Sequence, residues 1–158
     1  MHQPIDSDTA FFLLLDIGRL IRAEFEYKVN DAALGITPGE ARTLANIARF
    51  GPLSQNELAD ISGFGAMSVT RVLRNLEKAG LVCRSTNPND RRVRMVQVTE
   101  KASPLLTELA SLGDEVRTIT RGGISTKNWR AFESMLKIAR DNHLTAYRAR
   151  RTAELEPD

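Results

Sequence analysis

Cysteine occurs once in this 158-residue chain, at Cys83, and histidine twice, at His2 and His143. A single thiol excludes an intramolecular disulfide framework and fits a reducing compartment. Two scattered histidines fall short of the three or four protein ligands that zinc takes, so neither a metal nor another cofactor is expected. No apolar run approaches the length of a membrane span. The first residues, Met1-His2-Gln3-Pro4-Ile5-Asp6, lack the basic region and cleavage site of a signal peptide, which leads to the expectation of a cytoplasmic protein. The chain also lacks a nucleophile–base pair and a phosphate-cradling glycine loop, and an enzyme is not expected.

What remains is 42% hydrophobic, enough for the core of one domain or of a compact domain with a helical appendage. The net charge of +2 is small, but its distribution is uneven. Residues 66–101 hold eight lysines and arginines against three carboxylates, a surplus of +5, so the rest of the chain sums to −3. Positive charge concentrated on one small module is the footprint of a phosphate-binding surface.

Helical periodicity organises most of the chain. Ser7-Asp8 is positioned to cap a first helix running to about Ala33, with Phe11, Leu14, Leu15, Ile17, Leu20 and Ile21 among a broad apolar surface. Gly35 is expected to stop it. Thr37 then caps a second helix, with Pro38 at its first position and Glu40 completing a capping box. Its inward face is Leu44, Ile47 and Ala48. After Gly51-Pro52, Ser54 and Glu57 form a second capping-box pattern for a short helix with Leu58, Ala59 and Ile61 inward. Ser62-Gly63-Phe64-Gly65 makes a turn. A further helix, Ala66 to Ala79, buries Val69, Val72, Leu73 and Leu76 and presents Ser68, Thr70, Arg71, Arg74 and Asn75, before Gly80 closes it.

Two alternating runs follow, Leu81 to Arg84 and Val93 to Val98, around a turn that carries Asp90 and Arg91, Arg92 and Arg94. Thr99 is read as the cap of a helix to about Ile119, starting late or bending at Pro104. Ser125 caps a last helix to about Arg150, with Trp129, Phe132, Leu136, Ala139, His143 and Tyr147 along one seam. Residues 151–158 are expected to fray. Helix, helix, turn, helix and basic hairpin make the winged helix-turn-helix plan, in a mainly α protein with a small β-wing. One helix suits a major groove about 12 Å wide, and the hairpin suits the neighbouring minor groove.

At this point the chain resembles the MarR family of bacterial transcription regulators, its SlyA-like branch in particular. The resemblance rests on Gly35-Ile36-Thr37-Pro38, Gly51-Pro52-Leu53-Ser54-Gln55-Asn56-Glu57-Leu58-Ala59 and Val69-Thr70-Arg71. It continues through Leu76-Glu77-Lys78-Ala79-Gly80-Leu81-Val82, Asn89-Asp90-Arg91-Arg92 and Val98-Thr99-Glu100-Lys101-Ala102. It implies a homodimer in which residues 1–34 and 102–150 form dimerisation helices and residues 35–101 the DNA-binding lobe. It also implies binding of double-stranded DNA at a pseudo-palindromic operator, repression, and release by a small anionic or aromatic effector in a cleft between lobe and dimerisation helices. Two other readings accompany it: a SlyA-type activator that counteracts a silencing protein, and a winged-helix interaction module without DNA readout.

By this resemblance the Asp-x-Arg element falls on Asp90 and Arg92, with Arg92 inserting into the minor groove and Asp90 orienting its guanidinium; a pair that merely ties down a solvent-exposed turn is the alternative. Arg91 and Arg94 are assigned to phosphates. Met67, Ser68, Thr70, Arg71 and Arg74 are the groove-facing candidates, Met67 towards a thymine methyl. An ion pair of Arg71 with Glu77 or Asp90 is the alternative to its DNA role. Ser54 and Gln55 are expected phosphate contacts, with a plain helix cap the alternative for Ser54. Relatives often carry a Ser or Lys and a Pro where this chain has Gly65, Ala66 and Met67. Arg19 or Arg22 is a candidate partner for an effector carboxylate. Cys83 is read as a buried filler, should it share the inward face with Leu81.

Overall fold

The computed structural model describes residues 6, 8–87, 90 and 92–155, the side chains of Arg151, Glu154 and Leu155 excepted. Its elements are α1 (Ala10–Asp31), α2 (Pro38–Phe50), β1 (Leu53–Ser54), α3 (Gln55–Ser62), α4 (Ala66–Lys78), β2 (Val82–Thr86), β3 (Arg94–Val98), α5 (Ser103–Arg121) and α6 (Thr126–Leu155). They fall into two compact units, Met1–Arg117 and Thr118–Asp158.

In the first unit, two capping boxes set the helix starts. Thr37 Oγ1 accepts from the Glu40 N–H at 3.2 Å, while Glu40 Oε2 accepts from the Thr37 N–H at 2.8 Å. Ser54 and Glu57 repeat the exchange at 3.3 and 2.7 Å. Each box satisfies two of the backbone donors that a helix start leaves open. The apolar stripes of α2, α3 and α4 then meet around Leu44, Ile47, Leu58, Leu73 and Leu76, all at most 1% exposed. Phe25 and Val29 of α1 and Leu109 of α5 pack on the same core.

The sheet is three-stranded in the order β1-β3-β2, all antiparallel. The expected hairpin is present, with Val82 opposite Val98 and Thr86 opposite Arg94. The third strand, β1, escaped the sequence reading because two residues carry no periodicity. It pairs Leu53 with Val96, which is buried at the sheet's centre. At the end of α4 the chain reverses through Gly80, φ 73°, and the Leu81 N–H bonds back to the Leu76 carbonyl at 2.9 Å. That is a Schellman closure, which favours glycine because its φ is positive.

Several local expectations are corrected. Thr9, not Ser7-Asp8, precedes α1, without a side-chain cap bond, and Ser7 lies outside the described residues. The helix ends at Asp31 and turns through Ala33, φ 48°, before it reaches Gly35. Ala48 is exposed rather than inward. Ile61 is 41% exposed, and Ser62 takes the buried place one turn beyond Leu58 because its hydroxyl is satisfied by donating to the Leu58 carbonyl. The Thr99 hydroxyl donates to Gly80 O at 2.6 Å instead of capping a helix. A 3-10 turn, Glu100–Ala102, leads into α5, whose second residue is Pro104, so the late helix start is observed.

In the second unit, Ser125 Oγ accepts from the Asn128 N–H at 3.3 Å at the start of α6. The helix passes Arg150 and runs to Leu155, since no glycine or proline interrupts it before Pro157. Trp129, Phe132, Leu136 and Ala139 are half-buried, while His143 and Tyr147 are exposed. Among the described residues of α6 none is fully buried.

Candidate nucleic-acid interface

The outward face of α4 gathers the basic and hydroxyl side chains predicted for it. Met67, Ser68, Thr70, Arg71 and Arg74 line one open groove. Met67 is 89% exposed, an apolar side chain offered to solvent at the helix's first turn. Arg71 and Arg74 are exposed and make no ion pair among the described residues. The alternative pairing of Arg71 with Glu77 does not occur, because Glu77 holds Arg84 at 2.9 Å.

Asn75 belongs to the scaffold instead. Its side-chain amide donates to Glu40 Oε1 at 2.8 Å and so ties α4 to the capping box of α2. Burial pushes the Glu40 carboxyl up. Hydrogen bonds from the Thr37 backbone, Asn75 and the Thr37 side chain, with the nearby Arg71 charge, outweigh this and hold it below its ordinary value. A buried carboxylate with satisfied oxygens thereby fixes the orientation of the helix that carries Arg71. Sequence spacing put Asn75 on the outward face; its partner lies 35 positions away in the chain.

At the other end of α4, Lys101 Nζ donates to Ala79 O at 2.7 Å, beside the Thr99 bond to Gly80 O. A cation and a hydroxyl thus satisfy carbonyls that the helix leaves open, where the helix dipole favours positive charge. Lys101 and Arg84, two members of the basic cluster, therefore stabilise the protein rather than face a partner.

In the wing, Asp90 Oδ1 accepts from the Arg92 backbone N–H at 2.9 Å, and the Val93 N–H donates to Asp90 O at 3.0 Å. The expectation that Asp90 grips the guanidinium is corrected: it shapes the turn, as Asp commonly does through its own downstream backbone. The Arg92 side chain is left exposed and unpaired among the described residues. Arg94 Nη1 donates to Thr86 Oγ1 across the hairpin at 3.2 Å. Arg91 lies outside the described residues, as do Pro88 and Asn89.

Ser54 is fully engaged in its capping box, with its hydroxyl on Glu57 Oε2 at 2.7 Å. Gln55 Nε2 donates to Thr70 Oγ1 at 2.7 Å, so the start of α3 is pinned to the outward face of α4. Cys83 is half-buried on the sheet face opposite Val82, with Gln97 Nε2 at 3.6 Å from its sulfur, rather than an inward filler.

A separate cleft of about 340 Å³ lies between α1, α2 and α4, lined by Glu26, Thr37, Gly39, Arg42, Phe64, Ser68 and Arg71 among others. Arg42 stacks over the Phe64 ring at 4.6 Å and pairs with Glu26 at 3.2 Å. Its Nε is buried without a hydrogen-bond partner among the described residues. Burial lowers the Arg42 guanidinium from its ordinary value and the Arg22 charge adds to this, while Glu26 opposes both. Arg19 pairs with Asp16 at 3.5 Å on the exposed face of α1. Neither Arg19 nor Arg22 lines the cleft. Nothing in the sequence pattern of Arg42 or Phe64 signalled it, since they come from different elements.

Among the described residues no helix is long and apolar enough to cross a membrane, and no group of side chains is arranged to hold a metal. Residues 36–93 match the model of the MarR family. The chain resembles the Bordetella bronchiseptica BpsR structure, described for regulation of DNA binding by 6-hydroxynicotinic acid (21% identity, 89% of this chain and 99% of that one, TM-score 0.66). It resembles a putative MarR family regulator from Listeria monocytogenes in complex with 26mer DNA (20% identity, 85% and 89% covered, TM-score 0.70). Apo MarR from E. coli is similar to the same degree (20% identity, 87% and 98% covered, TM-score 0.68). The chain therefore has the winged-helix fold of the MarR structures, and its central stretch, from the turn before α2 into the wing, matches the MarR family.

Proposed function

We propose that the protein is a dimeric, sequence-specific DNA-binding transcriptional regulator, a repressor released from a pseudo-palindromic operator by a small anionic or aromatic effector. MarR family members are transcriptional regulators, not enzymes. The observation that carries the reading is the unpaired, exposed set Arg71, Arg74 and Arg92, two on a helix of groove-fitting width and one on the wing. Scaffold contacts already occupy Arg84 and Lys101, whereas these three guanidinium groups make no ion pair among the described residues and stand open to an anionic partner. In this reading α4 enters the major groove, Arg92 the adjacent minor groove, and Arg91 and Arg94 meet phosphates. The motif order from Gly35 to Ala102 supports the SlyA-like branch.

Dimerisation is supported by side chains that the chain alone leaves uncovered. Phe11, Leu15 and Leu20 of α1 are 54–63% exposed, and Met135 and Ile138 of α6 are 61% and 63% exposed. Apolar surface of this extent marks an association site. The effector reading is supported by the cleft at Arg42. Its volume falls in the range of small-molecule sites, its floor has an aromatic ring, and Arg42 Nε is an unsatisfied donor. Arg71 and Ser68 line both this cleft and the groove of α4, so an anion in the cleft competes with DNA for Arg71. Arg22, close enough to bear on the Arg42 charge, adds positive potential there.

The test is DNA binding by wild type and Arg92→Ala, read by fluorescence anisotropy on duplexes that the wild type selects from a random library. The variant is expected to bind far more weakly with unchanged circular dichroism and unchanged mass in sedimentation. Equal affinity would remove the wing from the mechanism, and absence of any selected duplex would sink the DNA-binding reading.

A further inference from the structure

Gln55 reads from sequence as a phosphate contact, but its hydrogen bonds suit it to another task. The Thr70 hydroxyl carries one proton, which it donates to the Ala66 carbonyl one turn back at 2.9 Å. Whatever meets the Thr70 oxygen from α3 must therefore be a donor. The Gln55 amide fills that place through Nε2 at 2.7 Å. This chain of bonds decides which end of the amide faces α4. Gln55 Oε1 and the second Nε2 proton remain without partners among the described residues, beside the groove that Thr70 lines with Met67, Ser68, Arg71 and Arg74.

A carbonyl acceptor and an N–H donor side by side on one planar amide complement the N6–H donor and N7 acceptor of adenine in the major groove. A phosphate offers acceptors alone and would use only the donor. Thr70, by contrast, has no proton left to give a base. We infer that Gln55, held by Thr70, reads an adenine in each half-site, and that Thr70 is a positioning residue. The inference rests on the proposed entry of α4 into the major groove.

Wild type, Gln55→Ala, Thr70→Val and Thr70→Ser would each select duplexes from a random-sequence library. Affinities would then be measured for the wild-type consensus and its single base-pair variants. Wild type is expected to disfavour replacement of one A·T pair per half-site by about tenfold or more. Gln55→Ala and Thr70→Val should erase that preference at this position alone, and Thr70→Ser, which keeps the hydroxyl, should retain it. A Gln55→Ala protein that binds every duplex more weakly by one factor, with the consensus intact, is a phosphate anchor and overturns the inference. So does a lost preference for a pair other than A·T. If wild type selects no consensus at all, the DNA-reading function itself fails, an outcome distinct from either.

Discussion

Leu58 and Leu73 in the winged lobe are fully buried, whereas Leu14 and Leu20 on α1 are 43% and 54% exposed. The same residue type meets two fates because the lobe, with Phe25 and Val29 of α1 and Leu109 of α5 packed on it, encloses its core. Three short helices, each with one apolar stripe, and a small sheet cover one another there. The first half of α1 instead carries apolar side chains on several sides, from Phe11 through Leu13, Leu14 and Leu15 to Ile21, more than one neighbour can cover. The lobe is a finished core and the outer α1 surface an unfinished one. The difference separates residues buried within the chain from apolar residues that the chain leaves exposed.

The largest effect should come from breaking the finished side. Leu73→Ala is expected to cost about 2–5 kcal/mol, read as a lowered urea midpoint at unchanged slope. The paired change Leu14→Ser and Leu20→Ser should act differently, shifting the sedimenting mass from dimer to monomer. A variant that stays dimeric would show that this face is not the interface. Next comes the boundary between scaffold and proposed DNA surface. Arg92→Ala should cost about 1–3 kcal/mol of operator affinity, while Arg84→Ala should leave affinity much nearer wild type, since Arg84 is held by Glu77. Equal losses in the two would mean that general charge, not the wing tip, governs binding.

A subtler comparison uses pH. The Glu40 carboxyl lies below its ordinary value in the folded protein, so its stabilisation is fully present above the unfolded value near 4.5. It is lost as pH falls through the folded value. Glu40→Gln should therefore lower Tm near neutrality and flatten its fall on acidification; a curve parallel to wild type would remove Glu40 from the acid transition. The smallest effect belongs to the Arg84–Glu77 pair, about a third exposed on each side, whose loss should cost about 0.2–1 kcal/mol of stability.

Much of the lobe is legible in the sequence because its signals are short-range. Thr37 with Glu40 and Ser54 with Glu57 are three residues apart and form the expected boxes. The stripe Val69, Val72, Leu73 and Leu76 is buried as its spacing demands. The candidate site was legible in part: the outward residues of α4 could be named, but their duties could not. Asn75 was legible as outward and polar, but not its bond to Glu40 of α2, and Asp90 holds backbone rather than guanidinium. The cleft at Arg42 and Phe64 left no trace in either segment.

The sequence by itself determined the capping boxes at Thr37 and Ser54, the apolar stripe of α4, and where positive charge concentrates. Those depend on capping groups, periodicity and composition within a few residues. Only the tertiary structure decided which charges are free. Glu77 and the carbonyls at the end of α4 claim Arg84 and Lys101, while Arg71, Arg74 and Arg92 make no ion pair among the described residues. A charge's availability depends on what stands within about 4 Å of it, and chain order does not specify that distance.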